Sequence, residues 1–153
     1  MRGYCDFYEV APSDEALLAL ARVLIEDPDQ GLQLIARSDA GTAIGFATVF
    51  WTWSTLSAAR LGVMNDLFVA EGARGGGAAY ALIAACAERC RERGVTELAW
   101  QTAHTNLRAQ AVYDRVGAQR DERWLDYSLS VPPPPRRTRS RAPTGESTGE
   151  SHR

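Results

Sequence analysis

Apolar and polar positions alternate in LQLIARS (32 to 38) and AIGFATVFWTW (43 to 53), and the DAGT turn between them predicts a β-hairpin. Ahead of it, YCDFYEV (4 to 10) predicts a first strand. Pro12 and a Ser13 N-cap then open a helix in which Leu17, Leu20, Ala21, Leu24 and Ile25 recur at helical spacing before EDPDQG ends it. Residues 61 to 69 predict the next strand. Three glycines follow it, then a helix over 78 to 93 closed by Gly94, a strand at ELAWQT (97 to 102) and a helix over 106 to 117. AQRDERWLDYSLSV (118 to 131) predicts two short strands or one bent one. The order β, α, β, β, β, α, β, α, β, β predicts an α+β fold: a mixed, mostly antiparallel sheet with a central βαβ unit.

The pattern changes at Val131. Residues 132 to 153 carry four consecutive prolines, five arginines and no aromatic residue, which predicts a disordered tail behind a single domain over 1 to 131. The tail is basic, with five arginines against two glutamates, whereas the first 131 residues hold twelve arginines against seventeen acids. A solvated terminus is the expected role, and nucleic acid is not expected as a partner.

All 17 basic residues are arginine. Without lysine there is no Walker P-loop and no Schiff-base chemistry. No apolar run approaches the ~20 residues of a membrane span, and the N-terminal stretch lacks a signal peptide's apolar core, so a cytoplasmic protein is expected. Cys86 and Cys90 are spaced like ligands on a helix, but no nearby His or acid completes a metal set; they are expected to be small buried hydrophobes, with no metal.

The stretch ARGGGAAYAL (73 to 82) places glycines between a strand and a helix. Glycine admits φ > 0 and close backbone approach, and the first amides of a helix attract anions, so this turn is a candidate phosphate site, with Arg74 beside it. It lacks the GxGxxG of dinucleotide folds.

With this loop (Arg74, Gly75, Gly76, Gly77, Ala78, Ala79), with NLRAQAVYDRVGA (106 to 118) and with the order of elements, nearly all of residues 4 to 131 resembles the GNAT superfamily of acetyl-CoA-dependent N-acetyltransferases. The resemblance implies that fold and acetyl-CoA as acetyl donor. It implies coenzyme contacts from Leu67, Val69, Arg74, Gly75, Gly77, Ala79, Tyr80 and Asn106, and Tyr113 as the general acid for the departing thiolate. A core aromatic is the alternative for Tyr113.

The acceptor it implies is a small-molecule primary amine such as a polyamine, an amino acid derivative or an aminoglycoside. A protein N-acetyltransferase and a non-catalytic acetyl-CoA sensor are the alternatives. An ammonium of pKa near 10.4 needs a base, and Asp66, Glu71, His104 and Asp126 are all candidates. Adjacent strand residues face opposite ways, so only one of Asn65 and Asp66 is expected to face the acceptor. Trp51, Trp100 and Trp124, with Asn65, Asp66 and Asp126, are candidate acceptor contacts, the tryptophans suiting a cation or else core packing. Only a short segment separates the first strand from the second, so an open site, or one completed in a homodimer, is expected.

Overall fold

The computed structural model describes residues 1–132, which divide into a unit over Met1–Gln119 and a second unit beginning at Arg120. The expected tail over 132 to 153 lies, apart from Pro132, outside the described residues. In the first unit the hairpin forms as the alternation predicts. Strand β1 (Gly31–Arg37) pairs antiparallel with β2 (Ala43–Ser54), and β2 with β3 (Ala59–Val69). After β3 come a 3-10 turn (Glu71–Ala73), helix α3 (Ala78–Glu92) and strand β4 (Leu98–Ala99), which pairs parallel with β3. The order β1-β2-β3-β4 is a mixed, mostly antiparallel sheet with one βαβ unit. Helix α4 (Leu107–Arg115) follows.

Strand β2 is buried continuously from Gly45 to Val49 because helices cover both of its faces. Ala47, Val49 and Trp51 pack with Met64 on Leu82, Ile83, Cys86 and Cys90 of α3. Thr48, buried as completely, is satisfied by the side-chain amide of Gln33, which donates at 3.1 Å. Cys86 and Cys90 are the small buried hydrophobes expected, and burial pushes the Cys86 thiol up to about 12 and raises Cys90 as well. No helix among the described residues is long and apolar enough to cross a membrane.

Ahead of the sheet, helix α2 (Asp14–Glu26) starts where Ser13 predicts, its hydroxyl accepting from the Ala16 amide at 3.1 Å. Residues 4 to 10, however, are not a strand. Arg2–Phe7 form helix α1, whose Tyr4 meets the C-cap Tyr8, four residues on, edge-on with centroids 4.9 Å apart. Their β propensity is overridden by packing, since Tyr4 lies edge-on to Phe46 and Phe68 of the sheet and Cys5 is buried. The segment before β1 therefore supplies two helices and no strand.

Two further differences lie toward the C-terminal side. The strand expected over 97 to 102 pairs only at Leu98 and Ala99, opposite Gly62 and Val63, just before β3 bulges at Asn65 and bends. Residues 118 to 131 form no strand. Leu125, Tyr127, Leu129 and Val131 alternate as a strand would, yet all four are exposed and no strand forms there among the described residues. Asp121 instead makes a local turn with Arg123, accepting from its amide at 2.9 Å, and the guanidinium holds the carboxyl down at about 2.

Candidate active site

A bulge interrupts the β2–β3 register four residues before β3 ends. Thr48 pairs with Asp66 and Val49 with Met64, leaving Asn65 as the extra residue. Past it, β3 runs into the glycine turn, and a cleft of about 290 Å³ lies between the end of β3, the turn, the first turn of α3, α4 and α1. It is lined by Leu67, Val69, Arg74, Gly75, Gly77, Ala79, Tyr80, Asn106 and Tyr113, so all nine residues expected at the coenzyme and the acid share one wall system.

Each wall has a local cause. Gly75 and Gly77 have φ of +88° and +84°, and a Cβ built on either meets nothing within 4 Å, so both backbones face open space. No side chain caps the first turn of α3 and no acid lies in it, which leaves the positive helix end available to an anion. Arg74 is fixed by donating Nε to the Val69 carbonyl at 3.0 Å, with its guanidinium 6.0 Å from the Phe7 ring. Asn106 caps α4, accepting from the Ala109 amide at 3.2 Å. Among the described residues lining the cleft are three arginines, Arg74, Arg108 and Arg115, and no carboxylate. Inside an otherwise acidic unit these arginines make the cleft locally positive.

Tyr113 is half-buried and lies edge-on to Trp100, with centroids 5.3 Å apart. Burial raises its pKa, the neighbouring Tyr8 adds to this, and a hydrogen bond with Thr102 pulls the other way. The phenol therefore keeps its proton at neutral pH and can donate it.

Other expected contacts are distributed differently. Trp51 is a core residue rather than a wall of an open pocket: it is buried, its indole donates to the Pro28 carbonyl at 3.2 Å, and Arg93 covers its ring at 5.1 Å. Asn65 and Asp66 do not face opposite ways. The Asn65 amide donates to Asp66 at 3.2 Å, because the bulge breaks the strict alternation. Glu71 and His104 are exposed. Trp124 and Asp126 belong to the second unit, where Trp124 is exposed under Arg123. Tyr4, Phe7 and Tyr8 of α1 also line the cleft. Reading 4 to 10 as a strand conceals them; the Tyr4 to Tyr8 spacing of four is the signal that could have found them.

Residues 2–118 match the Acetyltransferase (GNAT) family. The chain belongs to the GNAT acetyltransferase family. Among its GNAT relatives, the Bacillus subtilis (strain 168) uncharacterized N-acetyltransferase YhfO is 33% identical over 129 residues, covering 84% of this chain and 85% of the relative. The D-amino-acid N-acetyltransferase HPA3 of Saccharomyces cerevisiae is 34% identical over 115 residues, 74% of this chain and 70% of HPA3. The solved structure of AAC(6')-Iy in complex with the bisubstrate analog CoA-S-monomethyl-acetylneamine superposes with a TM-score of 0.69 at 28% identity, covering 77% of this chain and 81% of that one. This GNAT chain is an acetyltransferase that uses acetyl-CoA, and the arginine-rich, carboxylate-free cleft with its glycine backbone fits that ligand.

Proposed function

We propose that the enzyme transfers the acetyl group to a primary amine of a small molecule, with Tyr113 as general acid. The observation that carries this reading is the joining, in one cleft, of an uncapped helix end, three arginines and a half-buried phenol. Two relatives with amine acceptors in their names, HPA3 and AAC(6')-Iy, support the acceptor class.

Gly75, Gly77, Ala79 and Arg74 would hold the pyrophosphate through backbone amides and guanidinium charge, and Leu67 and Val69 would line the arm leading to the thioester. When bound, acetyl-CoA supplies an activated acyl group. The neutral amine nitrogen attacks the acyl carbon directly, the carbon–sulfur bond breaks, the nitrogen gives up one N–H proton to solvent, and Tyr113 gives its hydroxyl proton to the sulfur and regains one from solvent. A phenol near 10 is a weaker acid than a thiol near 8.5, and burial widens the gap. The Thr102 hydrogen bond, which favours the phenolate, narrows it.

Tyr113→Phe keeps the ring against Trp100 and removes only the hydroxyl. Stability should fall by about 0.5–1.5 kcal/mol, acetyl-CoA affinity should hold, and kcat on an amine panel should drop by roughly 10² to 10³. Near-normal turnover in the folded variant would move the acid elsewhere.

A further inference from the structure

Three arginines line the cleft, and only Arg74 is engaged, through the Val69 carbonyl and the Phe7 ring. Arg108 and Arg115 of α4 are exposed and make no ion pair, hydrogen bond or ring contact among the described residues. On α3, Arg89 and Arg91 each find a glutamate three residues away. Neither Arg108 nor Arg115 has an acid three or four residues away, so α4 offers its cations no local counter-charge. Seven residues of helix place the two within about 20° of each other and about 10.5 Å apart along the axis, whereas Tyr113 projects about 140–160° from both. Helix α4 thus turns two edges to one cleft, the phenol on one and a pair of unpartnered guanidinium groups on the other.

We infer that Arg108 and Arg115 hold the 3′-phosphate of acetyl-CoA and so distinguish the coenzyme from its 3′-dephospho form. This role rests on acetyl-CoA use and is independent of the acceptor. Acetyl-CoA carries its charge in two places. The pyrophosphate suits the glycine turn, where the uncapped amides of α3 and the guanidinium of Arg74 meet it. The ribose 3′-phosphate is a monoester, with a charge of about −1.5 to −2 at neutral pH and three strong acceptor oxygens. It calls for guanidinium forks, whose paired N–H donors match phosphate oxygens. A cleft of about 290 Å³ falls just below the ~300–1,000 Å³ that enclose a drug-sized ligand, and acetyl-CoA is larger than that. With the thioester at Tyr113 and the pyrophosphate at the turn, the nucleotide extends past the rim on the side away from the phenol. There the two arginines, on one face of α4 and two turns apart, close on a single phosphate from either end. No carboxylate among the described residues lining the cleft competes for them.

The test needs no acceptor: isothermal titration calorimetry with CoA and with 3′-dephospho-CoA on the wild type, Arg108→Gln, Arg115→Gln and the double variant. The wild type should bind CoA about tenfold or more tightly than dephospho-CoA, the scale of a charge-assisted phosphate contact. Each single variant should lose part of that preference. The double variant should bind both ligands alike, at the affinity the wild type has for dephospho-CoA. Added salt should weaken CoA binding more than dephospho-CoA binding in the wild type, and both equally in the double variant. Dephospho-CoA keeps the pyrophosphate, so losses by the same factor on both ligands would assign the arginines to the pyrophosphate and overturn the proposal. Equal affinity of the wild type for the two ligands, or unchanged CoA binding in the double variant, would overturn it as well. Should the double variant not fold, the single variants decide by the same comparison of ligands.

Discussion

Gly77→Asp puts the anion site to a direct test. The residue has φ of +84° and a built Cβ meets no heavy atom within 4 Å, so a side chain there encounters strain but no clash. The strain of a left-handed conformation is about 1–2 kcal/mol, less for Asp than for β-branched residues, or a melting temperature lower by about 3–6 °C. The charge matters more. Two unit charges about 4 Å apart interact by about 4 kcal/mol at an effective dielectric near 20. Halved by water at the open mouth, this leaves about 2 kcal/mol, a roughly 30-fold loss of acetyl-CoA affinity. Gly77→Ala carries the strain without the charge and should bind within a few-fold of the wild type. Isothermal titration calorimetry on both variants, with thermal melts to establish folding, separates the two effects. A folded Gly77→Asp protein with unchanged affinity, or an Ala variant that loses as much, would refute a phosphate at this backbone.

Gly62→Ala tests the core. Its Cβ would meet Cys90 Sγ at 2.9 Å, Trp51 at 3.2 Å and Leu98 at 3.3 Å, so overpacking should cost about 1–3 kcal/mol in urea unfolding while acetyl-CoA affinity stays intact; a neutral result would contradict the packing. Alkaline pH should destabilise the fold. Cys86, raised to about 12, together with Cys90 and Tyr113, binds its proton more tightly folded than unfolded. That stability is complete below the unfolded values near 8.5 and 10 and is lost as pH rises through the folded ones, at up to ~1.4 kcal/mol per pH unit per group. Urea midpoints should decline from pH 8 to 11, less steeply in Cys86→Ala, and a flat profile would count against the buried thiol.

Local chemistry makes much of this molecule legible from its sequence. Ser13 announces a helix start because a cap is a contact within four residues, and three glycines between strand and helix announce a backbone that something approaches. What the sequence hides depends on partners far along the chain. Tyr4 and Phe7 read as strand formers until Phe46 and Phe68 offer a surface for one face of a helix. The facing of Asn65 and Asp66 depends on a bulge that exists only opposite Thr48 and Val49. Trp51 looks like a ligand contact until α3 and Pro28 close over it. The alternation of 125 to 131 suggests a strand, but alternation specifies only which side chains would share a face; hydrogen-bond partners must come from elsewhere.

The burial of Cys5, Cys86 and Cys90 bears on what the reaction leaves behind. Each turnover releases coenzyme A, a free thiol, beside the protein. An exposed cysteine could be captured by it through air oxidation as a mixed disulfide, carrying a bulky polyanion onto the surface. Exchange of this kind needs an accessible thiolate. The chain offers none: two of its thiols lie on the buried face of α3 and the third on that of α1, and burial keeps the first two protonated well past neutral pH. The enzyme is in this way shielded from covalent capture by its own by-product, and the shielding lasts as long as the fold does.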